Sequence, residues 1–167
     1  MRVLHAGCGG APLPPLFGDC EEVRLDINKN ANPDVVASLT DMGDIGTFDA
    51  AYCSHCLEHL YPHEVRKAAS EFYRITAVGG YVVILVPDLE GVRATEEVLF
   101  VSPAGPISGL DLIYGYRPEI PVNPFMAHHS GFTAETLERV LTDAGFDMVT
   151  TKRICDFNLM AVAQRKT

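Results

Sequence analysis

Val3-Leu4-His5-Ala6-Gly7-Cys8-Gly9-Gly10 runs from a short stretch of buried-strand character straight into a glycine-rich turn. Gly7 and Gly9 let the backbone bend sharply and approach a bound molecule closely. Glu22-Val23-Arg24-Leu25-Asp26 reads as the next strand and ends in an acid. A carboxylate there, beside a glycine turn, can accept two hydrogen bonds from a ribose diol, so the pair makes a nucleoside site. The dinucleotide fingerprint needs a third glycine leading into a helix whose N-terminus receives a diphosphate. Here Pro12 takes that glycine's place, and Pro14 and Pro15 allow at most a one-turn helix ending near Phe17 and Gly18. This favours a ligand without a diphosphate and disfavours nicotinamide chemistry.

Outward from this unit, Asn28 to Pro33 is turn chemistry, Val35-Val36-Ala37 a brief third strand, and Phe48 to Cys53 a fourth after the loop 40–47. Pro62 opens a helix in which Val65, Ala69, Phe72 and Ile75 recur at helical spacing, with Gly79-Gly80 as its end. Tyr81 to Val86 is apolar without alternation, as expected of a central parallel strand covered on both faces, and Pro87 stops it. Five prolines punctuate the stretch 88–131, where short helices are expected at 93–100 and 107–114. A connection this long in a compact domain usually carries function or forms a lid. Thr133 caps a second helix, with Leu137, Val140, Leu141 and Ala144 inward and Gly145 as the stop. The segments 146–152 and 157–164 read as closing strands. The alternation implies an open α/β sheet with its ligand crevice at the carboxyl ends of the strands.

At 167 residues the chain fits one domain, 1–167, with the stretch 88–131 as its long connection or lid on the ligand side. A hydrophobic fraction of 47% with 21% charged residues is ordinary for a globular protein. The longest apolar run is strand-sized, so no membrane span is expected. The 5 cysteines are irregularly spaced, and residues 1–10 hold a strand and a glycine loop instead of a leader pattern; a reducing, cytoplasmic setting is the expectation. A formal net charge of -9, with the 13 basic residues scattered, argues against nucleic acid as a partner.

Four ordered motifs resemble the class I S-adenosylmethionine-dependent methyltransferases, in particular a small bacterial group. They are the opening stretch 3–10; Asn32-Pro33-Asp34-Val35-Val36-Ala37 through Leu39; Phe48-Asp49-Ala50-Ala51-Tyr52-Cys53-Ser54-His55-Cys56-Leu57-Glu58-His59-Leu60; and Phe72-Tyr73-Arg74-Ile75 with Gly79-Gly80-Tyr81 and Val86-Pro87-Asp88. Gly131-Phe132-Thr133 and Ala144-Gly145-Phe146 extend the likeness. The resemblance implies a Rossmann-like, doubly wound, mostly parallel seven-stranded sheet with an antiparallel last strand, here with shortened early helices. It implies S-adenosyl-L-methionine as cofactor, S-adenosyl-L-homocysteine as product, and a small-molecule acceptor methylated on O or N, with a sugar or glycan precursor as the acceptor class. A non-catalytic module that binds the cofactor or product through a degenerate fold is the alternative.

Carried over position by position, Gly7, Cys8 and Gly9 line the methionine moiety and Asp26 holds the ribose hydroxyls. Ile27 packs on adenine, Leu39, Thr40 or Asp41 sits at the adenine edge, and Ser54 and His55 face the methionine end. His5 stands where the family often has an acid, and Ala11 where a third glycine is frequent.

His128 and His129, in the loop before the Thr133 helix, and His55 are the candidate general bases, since an imidazole titrates near neutrality. His55, Cys56 and His59 invite a metal reading. It is not adopted, because His59 falls in the family's Leu-Glu-His-Leu segment and Pro62 prevents one helix from also presenting His63. Tyr114, Tyr116 and Arg117 are read as an acceptor wall, with Arg117 for a carboxylate or phosphate, or as a contact between copies in a homodimer.

Overall fold

A computed structural model describes residues 1–167. Its frame is one seven-stranded sheet in the order β3-β2-β1-β4-β5-β9-β8. The strands are β1 (Arg2–Ala6), β2 (Glu21–Asp26), β3 (Val35–Val36), β4 (Phe48–Ser54), β5 (Thr76–Pro87), β8 (Met148–Ile154) and β9 (Asn158–Gln164). A separate antiparallel hairpin pairs β6 (Val98–Ser102) with β7 (Gly105–Ser108). The first five strands run parallel, and β9 inserts antiparallel between β5 and β8. The order reverses between β1 and β4, so the crevice expected of an open α/β sheet lies beyond the ends of those two strands.

Two amphipathic helices, α1 (Pro62–Ile75) and α3 (Ala134–Asp143), bury Val65, Ala68, Phe72, Ile75, Leu137 and Leu141 on one face of the sheet. Together with Leu4, Ala6, Ala51, Val82, Ile84 and Leu159 they form a core cluster of 23 buried residues. α1 starts where Pro62 pre-sets the first turn and Glu64 accepts the Tyr61 amide at 2.9 Å. The opposite face is dressed thinly. Its buried cluster is Val3, Phe17, Ala50 and Val83, and Phe17, from a single 3₁₀ turn at Pro15–Phe17, meets Tyr52 edge-on at 5.7 Å. Toward β8 that face ends in half-buried Met160 and Val162 and exposed Met148. The proline-rich shortening of the first crossover thus has a three-dimensional result: no α-helix follows β1 or β2.

Two expectations are corrected. α1 ends at Ile75 and not at Gly79-Gly80, because Thr76 joins the sheet opposite Phe48 while its hydroxyl takes the Phe72 carbonyl at 2.6 Å. Gly80 sits inside β5, where a side chain would strike the Asp49 and Ala77 carbonyls. The stretch 93–100 is not helical: Val98-Leu99-Phe100-Val101 is β-branched and aromatic, and it folds back on β7 through the turn at Pro103-Ala104. Gly109 lies so close to the Arg93 carbonyl that no side chain fits, and Phe100 stacks on Phe157 at 6.1 Å. The expected helix at 107–114 is α2 (Gly109–Tyr114), with Ile107 given to β7. No helix is long and apolar enough to cross a membrane, and all five cysteines are free thiols.

The connection 88–131 is anchored by Asp111. Its carboxylate accepts from the Ser108 amide (3.0 Å) and hydroxyl (2.5 Å) and from Arg117 Nε (2.9 Å), and Arg117 also reaches Glu96 at 2.6 Å. Burial alone would raise the Asp111 pKa, but Arg117 and Ser108 outweigh it and hold the carboxyl down at about 2. A carboxylate whose folded pKa lies below its unfolded value stabilises fully above about pH 4 and loses that contribution as pH falls toward 2. Amide-exchange protection factors across residues 96–117, taken relative to the intrinsic rate at each pH, should therefore fall between about pH 4 and pH 2 ahead of those of the α1 core. Asp111→Asn should show the lowered protection already at neutral pH.

Candidate functional site

The tips of β1 and β2 are tied by backbone bonds that leave the glycine turn facing outward. The Gly7 and Cys8 amides both donate to the Leu25 carbonyl, at 2.8 and 3.1 Å. One residue further on each side, the Gly9 amide donates to Asp26 Oδ2 at 2.8 Å, while Asn28 donates to Asp26 Oδ1 at 2.8 Å. The carboxylate thus points at the turn, and each oxygen retains a second lone pair for an incoming hydroxyl. Arg24 holds the far side of the turn through the carbonyls of Gly9 (2.9 Å) and Ala11 (3.0 Å). Gly7 and Gly9 have φ of 65° and 48°, in the left-handed region. A Cβ at Gly9 or Gly10 would meet nothing within 4 Å, so the turn borders open space.

Around it, Ile27 stands 71% exposed directly after Asp26, an apolar surface beside the hydroxyl-binding acid. Thr40 and Asp41 lie in a turn closed by Ser38, whose hydroxyl is 2.8 Å from that of Thr40. Leu39 faces inward and belongs to the main core cluster, which leaves Thr40 and Asp41 as the surface members of that trio. His5 is turned into the sheet, 3% exposed, with Nδ1 2.8 Å from Glu22 Oε1 and its ring against Tyr52 at 5.5 Å. The side chain replacing the family's acid is thus consumed by internal pairing. Cys8 is buried, which raises its thiol pKa.

Beyond β4 a second cluster gathers. His55 follows Ser54 with φ 52°, a left-handed conformation unusual for a residue with a side chain and common at functional turns. Its Nδ1 lies 3.3 Å from Oε1 of Glu58. Burial pulls the His55 pKa down, but the Glu58 carboxylate and Asn158 outweigh it, and the net shift is upward. Glu58 is 1% exposed, and apart from the His55 ion pair at Oε1 its carboxylate oxygens have no hydrogen-bond partner. Its backbone carbonyl accepts the His129 and Ser130 amides, at 2.8 and 3.0 Å, which brings the loop 127–130 onto the turn after β4. His128 Nδ1 is 2.9 Å from the Leu112 carbonyl, His59 Nδ1 3.2 Å from that of Ala127, and the two rings meet edge-on at 5.0 Å. Burial lowers the His128 pKa, against the pull of Glu58. His129 stacks on Tyr61 at 4.2 Å.

The structure thus gathers His55 and His128 around Glu58 and holds His129 just outside by stacking. Glu58 was missed in the sequence, where Leu57-Glu58-His59-Leu60 reads as a packing segment. Cys56 does not join the histidines. Its thiol faces the carbonyls of Ser54 (3.2 Å) and Gly7 (3.7 Å) and also pushes up the pKa of buried Cys53, the reverse of an activated thiol pair. Arg117 is corrected as an acceptor-binding cation, since its guanidinium is spent on Asp111, Glu96 and Ser108. Tyr116 packs over Gly105, and Tyr114 alone of that wall is exposed.

A family model described as a methyltransferase domain matches residues 1–151. No curated protein matches the sequence. Among solved structures, an S-adenosylmethionine dependent methyltransferase from Mesorhizobium loti aligns with a TM-score of 0.70 at 17% identity, over 98% of this chain and 90% of that one. The N-methyltransferase NodS from Bradyrhizobium japonicum WM9, in complex with S-adenosyl-L-homocysteine, aligns at 0.62 and 15% identity over 99% and 78%. Human N-acetylserotonin methyltransferase, in complex with SAM, aligns at 0.72 and 15% identity over 99% of this chain and 48% of that one. At these identities the likeness is one of fold.

The contact between Gly7 and Cys56 generates a test of the turn. A side chain at position 7 would collide with the Cys56 thiol and would also sit at positive φ. Gly7→Ala should therefore destabilise by roughly 2–4 kcal/mol in urea unfolding, and adding Cys56→Ala should return only the collision, leaving the roughly 1–2 kcal/mol left-handed cost.

Proposed function

The chain belongs to the methyltransferase domain family, and we propose that it transfers a methyl group from S-adenosyl-L-methionine to an oxygen or nitrogen of a small molecule, releasing S-adenosyl-L-homocysteine. The observation that carries this reading is the Asp26 carboxylate held 2.8 Å from the Gly9 amide at the sheet's switch point, with open space in front of Gly9 and exposed Ile27 alongside. A nucleoside fits these groups: the two free lone pairs of Asp26 suit a ribose diol, and Ile27 suits a flat base. Thr40 and Asp41 would border the base, and Gly7, Cys8 and Ser54 the methionine end.

The cofactor supplies a methyl group already activated on a sulfonium. The chain's own work is to hold the two reactants in line, keep water out and, for a hydroxyl or ammonium acceptor, take a proton. His55 is the residue we assign to that last task, because it follows β4 at the same switch point, faces outward and is backed by Glu58. His128 has Nδ1 committed to a backbone carbonyl and His129 is held by stacking on Tyr61, which suits both to shaping the acceptor side. The connection 88–131 would wall that side. The acceptor class we assign is a hydroxylated small molecule of sugar type, and the net charge of -9 disfavours a nucleic-acid acceptor. Five free thiols suit a reducing, cytoplasmic setting.

Calorimetry with S-adenosyl-L-methionine tests the cofactor assignment directly. The wild-type chain should bind it, and Asp26→Ala should lose about 1.5–3 kcal/mol, a weakening of about 10- to 150-fold, as expected for hydrogen bonds to a charged group; undiminished affinity would remove Asp26 from the site. With S-adenosyl-L-homocysteine release in cell extract as the readout, His55→Ala should lower turnover about 10²- to 10⁴-fold while cofactor affinity holds. Full turnover would pass the proton to another group.

A further inference from the structure

We infer that Glu58, His59 and His128 form a binding site for one divalent transition-metal ion. The starting point is an energetic oddity. A carboxylate 1% exposed whose one close polar neighbour is His55 Nδ1, 3.3 Å from Oε1, and whose Oε2 has no partner is costly to keep in a folded protein, and burial of such a group is ordinarily offset by further partners or a metal ion. The partners nearest to hand are imidazoles. One ring nitrogen each from His59 and His128 and one oxygen of Glu58 all lie within 4.8 Å of one another.

Backbone contacts fix the tautomer of both imidazoles. Nδ1 of His128 is 2.9 Å from the Leu112 carbonyl, and Nδ1 of His59 is 3.2 Å from the Ala127 carbonyl. A backbone carbonyl can only accept, so each Nδ1 carries the proton and each Nε2 is left with a lone pair. Neither ring can then relieve the carboxylate by donating from Nε2 while neutral. Fixing the tautomer through a carbonyl at the far nitrogen is how proteins orient histidine ligands toward a metal. A cation placed among these atoms completes the coordination of all three residues at once.

Two imidazoles and one carboxylate are the donor set of zinc or iron(II) sites that keep positions open, and they are too nitrogen-rich for magnesium or calcium. Metal–ligand bonds of about 2.0–2.2 Å set neighbouring donors roughly 3–3.5 Å apart, so binding draws the three side chains inward. The scaffold permits this. Glu58 and His59 share the 3₁₀ turn after β4 (Leu57–His59), while His128 arrives on the loop that the Glu58 carbonyl pins through the His129 and Ser130 amides and that Ser130 Oγ secures on the Leu60 carbonyl at 2.6 Å. The ion would join the sheet's switch point to the connection 88–131. This site is independent of the cofactor assignment, since none of its donors belongs to the glycine turn or to Asp26, although it shares Glu58 with His55.

The test uses the full, untagged chain, freed of metal with a chelator. Calorimetric titration with Zn²⁺ should show one ion per chain, Co²⁺ should give visible ligand-field absorption, and Mg²⁺ should give no heat. Glu58→Gln and His128→Ala, each checked for folding by circular dichroism, should weaken Zn²⁺ binding at least about tenfold, with His59→Ala as a further variant should either fail to fold. His63→Ala, on the exposed start of α1, should leave binding unchanged. No Zn²⁺ uptake by the wild-type chain, or uptake undiminished in the folded variants, overturns the site. S-adenosyl-L-methionine titrated into the same preparations reports separately on the cofactor, so either reading can fail while the other stands.

Discussion

Three consecutive amides, those of Gly7, Cys8 and Gly9, converge on two consecutive residues at the tip of the neighbouring strand, Leu25 through its carbonyl and Asp26 through its carboxylate. This convergence sets the register of β1 against β2, stops β1, and turns the acid toward the hollow instead of toward water. It requires parallel strands in register, Arg2 opposite Glu21 through Ala6 opposite Leu25, and a backbone that bends at positive φ twice in three residues. A side chain at position 7 would also run into Cys56, so the turn is coupled to the segment that follows β4. Both halves of the crevice hang on that contact.

Much of the architecture could be read from periodicity. Tyr81 to Val86 has the unbroken apolar character of a strand covered by neighbours, and Val65, Ala69, Phe72 and Ile75 mark a helix stripe; both elements formed in place. The errors came where tertiary contacts decide. Thr76 leaves the helix because its backbone can pair with Phe48, a partner far away in sequence. The helix expected at 93–100 gives way to the first strand of a hairpin because its two strands are short and its anchors, Gly109 against Arg93 and Phe100 against Phe157, are long-range. No local pattern announces either contact.

The candidate site was legible to the same degree. Glycine turns and strand-ending acids are local signatures with a physical reason behind each residue, and Asp26 stands where such a signature places it. Leu39 and Arg117 show the limit: one side chain of a surface turn faces the core, and one cation that looked available is fully engaged by Asp111, Glu96 and Ser108. Glu58 shows it more sharply. Nothing in Leu57-Glu58-His59-Leu60 says that the acid will be buried, because the loop 127–130, which bonds to the Glu58 carbonyl, comes from a distant part of the chain.

The unequal dressing of the sheet bears on how the molecule holds together. α1 and α3 insulate one side of β4, β5 and β9, whereas β1, β2 and β3 are joined by turns in which no α-helix forms, leaving that margin with little apolar mass of its own. Local opening is drawn from such thinly packed regions. An occupant seated against Gly9, Asp26 and Ile27 would occupy the same margin and supply packing that helices supply elsewhere, and a ligand held only by the folded form raises its stability in proportion to the logarithm of its concentration. Supply of such an occupant and the integrity of the rim around Gly9 and Asp26 would then be thermodynamically linked.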